Sequence, residues 1–157
     1  MSVVKAAADE TTTTLLPGAQ FADTYDLIVD QPPSDAMAAA RRALGRAPRW
    51  VRALLVLRTI AVMPFGLKSG GPRRGGECVG IFPVISRSPT RVVLGLDDRH
   101  LDFRIAVDLQ TIGPQRGRIR VTTLVQTHNR LGRAYLATVL PFHRRIVPTM
   151  LAQAAHG

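Results

Sequence analysis

Apolar and polar positions alternate with period two over much of the second half of the chain. Leu101, Phe103, Ile105, Val107 and Leu109 fall on one side of a run from His100 to Leu109. His100, Asp102, Arg104 and Asp108 fall on the other, with Ala106. That pattern predicts a strand with one face on a core and one toward water. Arg118 to His128 repeats it, with Ile119, Val121, Thr123 and Val125 inward. Val79–Ile85 and Arg91–Leu96 complete an antiparallel meander around a turn at Ser88-Pro89-Thr90, and Gly113–Gly117 reads as a loop. An earlier strand is predicted over Phe21–Val29, where Phe21, Tyr25, Leu27 and Val29 share a face and Asp23 is the exception.

Elsewhere the period changes to that of a helix. Ser34 is a good N-cap for a helix running to about Leu44, with Asp35 at the positive end of its dipole and Gly45 as its stop. Pro48 suits the first turn of a second helix that ends before Pro64. Leu131 to about Ala154 predicts a long terminal helix with two apolar stripes. One holds Leu131, Tyr135, Val139, Phe142, Ile146 and Met150; the other holds Leu136, Leu140, Val147 and Leu151, so much of the helix is expected to be buried. Pro141 and Pro148 inside it predict a bend.

Strands gathered in a run, with helices segregated from them, define an α+β class. The expected architecture is a helix-grip fold: a curved antiparallel sheet wrapped around a long C-terminal helix, with two short helices after the first strand. Residues 1–15 are small, polar and threonine-rich and predict a mobile tail; 16–157 then form a single domain.

Composition narrows the function classes. The chain has 157 residues, enough for one domain with a substantial core. Its one cysteine, Cys78, rules out an intrachain disulfide and points to a reducing, cytoplasmic setting. The opening residues lack the apolar run of a signal peptide. Arg58 interrupts the most apolar stretch, Leu54–Met63, which is too short to span a bilayer. The net charge of +10 comes almost wholly from arginine, since Lys5 and Lys68 are the only lysines. Those arginines are scattered, so solvated faces are favoured over nucleic-acid binding.

The chemistry-bearing residues gather in a few places. Asp97-Asp98-Arg99-His100-Leu101-Asp102 is the densest polar segment. A carboxylate beside an imidazole can orient a general base, so His100, Asp102 and His128 are the catalytic candidates. The competing reading is turn chemistry, helix capping by Asn129 and surface ion pairing. His143, alone on a largely buried helix, reads as a core histidine. The histidine spacing, with no HExxH or CxxC, predicts no metal site, and no cofactor motif is present. The glycine-rich loop from Phe65 to Glu77 matches neither phosphate-binding fingerprint. Trp50, Phe82, Phe103, Tyr135 and Phe142 are the candidates to line an apolar cavity, with Arg104 and Tyr135 as polar anchors.

Three segments carry a family resemblance: APRWVRALLVLRTIAVMPFGLK, VVLGLDDRHLDFRIAV and THNRLGRAYLATVLPFHRRIVPTMLAQA. They resemble an uncharacterised bacterial family of helix-grip domains in the START-like, polyketide-cyclase-like superfamily. That resemblance implies a cavity for a small apolar or aromatic molecule between sheet and terminal helix. It also implies association with an oxidoreductase, since relatives occur fused behind a nucleotide-binding oxidoreductase domain. Three functions follow in order: a small-ligand binder; a cyclase- or isomerase-like enzyme working by general acid–base chemistry in the same cavity; and a binder of nucleic acid or an acidic partner through surface arginines.

Overall fold

The computed structural model describes residues 2–53, 64 and 76–156. The apolar stretch 54–63 with Arg58, and the glycine-rich loop as far as Gly75, lie outside the described residues. Seven strands form one curved antiparallel sheet in the spatial order β1-β2-β7-β6-β5-β4-β3. They are β1 (Val3–Ala6), β2 (Phe21–Asp30), β3 (Cys78–Val79), β4 (Phe82–Arg87), β5 (Arg91–Asp97), β6 (Leu101–Gly113) and β7 (Arg116–Thr127). The described helices are α1 (Glu10–Thr13), α2 (Ala36–Leu44), the turn at 49–53, and the long C-terminal helix α3 (Arg130–Gln153). The chain is α+β, as its periodicity predicts. None of the described helices is long and apolar enough to cross a membrane.

The core lies on the sheet's inner face, where the ladder registers align side chains in rows. Leu94, Ile105, Thr123 and Asp23 form one row; Val92, Val107, Val121 and Tyr25 form the next. Helix α2 packs there because it is built of alanine: Ala36, Ala39, Ala40 and Ala43 are fully buried and let its backbone approach β5 and β6. Its N-cap is Asp35, which accepts from the Ala38 amide, rather than the adjacent Ser34. The C-terminal half of α3 closes the same core with Val147, Met150 and Leu151.

Three expectations change. Residues 1–15 are not a tail: β1 pairs along the free edge of β2, and Asp9 caps α1. The strand expected over Val79–Ile85 breaks at Gly80, whose positive φ turns the chain where a Cβ would stand 2.8 Å from the Leu44 carbonyl. The outer sheet face is not left to water either, because Ala106 and Asp108 are buried. The segment around α1 covers that face: Arg91 on β5 donates to Thr12 Oγ1 at 2.8 Å while pairing with Asp108. Period-two alternation identifies the core face but cannot report that another segment will cover the second.

Candidate functional site

The site begins where the fold stops being fully packed. The row at the upper end of the inner face is Leu96, Phe103, Val125 and Phe21. Val125 is buried; the other three are only partly so. Phe82 packs edge-to-face on Phe103 with ring centroids 6.1 Å apart. The N-terminal half of α3 belongs to the same end, because it follows directly from β7. Its apolar residues Tyr135, Leu136, Val139 and Leu140 are likewise half-buried. The helix therefore grips the sheet tightly at one end and loosely at the other.

Beneath that looser end lies a polar cluster. Asp23 occupies an inward position of β2 and is 4% exposed. Tyr25, two residues on, donates its hydroxyl to Asp23 Oδ2 at 3.0 Å. Burial, helped by that hydrogen bond to a carboxylate, pushes the Tyr25 phenol up to about 12. Lys5 Nζ reaches within 3.4 Å of Asp23 Oδ1, inside ion-pair range but without hydrogen-bond alignment, so Oδ1 has no hydrogen-bond partner. From α3, His143 stacks edge-on against Phe21 at 5.6 Å, and its Nε2 is also buried without a hydrogen bond. Desolvation lowers the His143 imidazole below its usual value, against the opposing pull of the Asp23 charge.

Two measurements follow from these shifts. In Tyr135→Phe, where Tyr25 is the remaining tyrosine, ultraviolet titration should show the phenol ionising near 12; a midpoint near 10 would mean that the Asp23 contact does not form in solution. Burial disfavours the protonated form of His143 in the fold, whereas the unfolded chain takes the proton near 6.5. Its contribution is thus complete above 6.5 and is lost as pH falls below it. Melting temperature should drop between pH 7.5 and 5.5, and His143→Leu should flatten that drop.

Of the catalytic candidates, Asp102 and His128 meet at the same end of the sheet but on its other side, whereas His100 is buried beside Asn129 at the start of α3. Asp102 points to the outer face, and His128 Nε2 stands 2.9 Å from its Oδ2. Asp102 Oδ1 accepts from the Asp98 amide. Asn129 caps α3 by accepting from the Gly132 amide and also contacts His100 Nδ1 at 2.9 Å. Here capping and pairing coexist with the imidazole–carboxylate contact. The His128 side chain is 37% exposed, so the pair meets solvent and stands apart from the inner-face residues.

The remaining candidates separate. Phe82 and Phe103 sit together on the inner face, and Tyr135 flanks the helix stripe above it. Arg104 lies on the outer face and pairs with Asp97 at 2.7 Å. Trp50 is exposed. Phe142 is exposed too: at 100° per residue it lies about 120° from the stripe of Leu136, His143 and Val147 that faces the sheet. Among the described residues, no three or more His, Cys, Asp or Glu side chains converge as a metal site. Sequence reasoning missed Asp23 and His143 as a pair. The signal was there in two fragments, a carboxylate breaking a strand's apolar face and a histidine on a buried helix stripe.

Fold and site together define an α+β architecture in which one apolar end of the sheet and C-terminal helix stays half-buried beside a buried polar cluster. The chain belongs to the family described as proteins of unknown function, DUF2867, whose model matches residues 15–150. Neither a curated protein nor a solved structure matches the chain.

Proposed function

We propose that this protein binds a small apolar or aromatic molecule between the inner sheet face and the N-terminal half of α3, in the manner of START-like helix-grip domains. One observation carries the reading: the burial gradient along α3. Val147, Met150 and Leu151 are packed into the core, whereas Tyr135, Leu136, Val139 and Leu140 remain half-buried over an equally half-buried row of Leu96, Phe103 and Phe21. Two apolar surfaces left incompletely covered at one end of a layered fold suit a ligand that completes the packing. Burying that surface supplies affinity at roughly 25 cal/mol per Å² before the costs of binding are subtracted.

The test is native mass spectrometry of the purified protein, with extraction of whatever co-purifies. The reading expects a reproducible apolar molecule at near-unit occupancy, or a raised melting temperature with members of an apolar panel. A clean apo mass with no thermal shift across that panel would instead assign this end to a loosely packed core.

A further inference from the structure

We infer that the polar end of the bound molecule is a neutral hydroxyl, an alcohol or phenol, received by Asp23 and His143. The inference rests on the ligand-binding reading and deepens it. Asp23 offers two oxygens from a side chain that is 2% exposed. Tyr25 satisfies Oδ2, while Oδ1 lacks a hydrogen bond. His143 Nε2 on the facing helix is in the same condition. A buried polar atom without a partner costs free energy, so a group that satisfies both atoms is favoured there.

The surrounding charges select which group. A carboxylate or phosphate ligand would bring negative charge against buried Asp23, where like charges are strongly unfavourable. An ammonium would meet Lys5, which already stands 3.4 Å from Oδ1, and Arg144, whose charge acts on both Tyr25 and His143. A bare hydrocarbon would leave Oδ1 and Nε2 without a hydrogen bond and further from water. A hydroxyl both donates and accepts. It can donate to Asp23 Oδ1, and it suits either tautomer of a neutral imidazole. Phe21, edge-on to His143, and Phe103 in the same row then supply apolar walls for the body of the ligand.

The experiment compares four probes of one shape by isothermal titration calorimetry at pH 7.5: 1-naphthol, naphthalene, 1-naphthoate and 1-naphthylmethylamine. The wild-type protein should bind 1-naphthol at least about tenfold more tightly than the other three, as one hydrogen bond to a charged acceptor implies. Asp23→Leu should erase that preference while retaining naphthalene binding, and His143→Leu should reduce it, with folding checked by circular dichroism. If either variant does not fold, the wild-type ranking decides. Failure of all four probes to bind would overturn the ligand-binding reading itself. Binding of naphthalene or 1-naphthoate as tightly as 1-naphthol would overturn the hydroxyl inference alone. So would a naphthol preference that survives Asp23→Leu in a folded protein.

Discussion

Gly132→Ala should destabilise the protein by about 3 kcal/mol or more, although it replaces glycine by alanine inside a helix. Helix propensity alone predicts the opposite, a gain of about 1 kcal/mol. The clash decides the sign. A Cβ at position 132 would stand only 2.0 Å from the His100 carbonyl oxygen and 3.5 Å from Thr127 Cβ. The close neighbour is backbone, and that backbone is fixed, since the His100 carbonyl accepts from the His128 amide. Neither partner can yield without moving the first turn of α3 off the sheet. At this chain length a loss of 3 kcal/mol corresponds to a melting temperature lower by roughly 6–12 °C. Gly113→Ala is the control, because its nearest neighbour would be Arg116 Cβ at an ordinary 3.7 Å. A stabilised Gly132→Ala protein would mean that α3 does not dock as described.

The second large effect is expected at Asp108. This carboxylate is 7% exposed on the outer sheet face and pairs with Arg91, whose guanidinium also donates to Thr12 of α1. Arg120, its cross-strand neighbour on β7, is held by Asp26 through bonds of 2.7 and 2.8 Å. Asp108→Ala would leave the Arg91 charge half-buried without its counter-ion. Removing one partner of such a pair costs about 3 kcal/mol, more than the pair contributes when intact. Asp97→Ala makes the contrast, since Asp97 is 64% exposed where it meets Arg104 and should cost well under about 1 kcal/mol. Chemical denaturation of the two variants reads the difference. Equal losses would show that the outer face is wetter than the burial of Asp108 implies.

These two positions also show what the sequence could and could not reveal. The alternation through β6 identified its core face because side-chain direction in a strand has period two. The same alternation marked Asp108 as solvent-facing, since the covering segment is a threonine-rich stretch with no apolar period of its own. The helix at 130–153 was legible, and so was Asn129 as its cap. Both of its stripes were expected to be buried, and both reach the core, through Met150 on one and Val147 and Leu151 on the other, whereas Phe142 is exposed. Asp102 and His128 were each visible as chemistry. Their 2.9 Å contact depends on the β6–β7 register and on the turn into α3, both set by tertiary packing. Asp23 and His143 lie 120 positions apart. Only the docking of α3 over β2 brings them to one cluster.

The central claim is that a ligand enters between the upper row of the sheet and the N-terminal half of α3. Methyl-labelled nuclear magnetic resonance with 1-naphthol as the probe tests that location most directly. The account predicts chemical-shift changes concentrated at Leu96, Val125, Leu136, Val139 and Leu140, with Leu27, Val92 and Ile119 at the packed end unmoved. Changes centred instead on Val4 and Ile28 would contradict it. Those two residues line an open groove of about 380 Å³ on the outer face, beside Asp26 and Arg118, and binding there would move the site to the other side of the sheet.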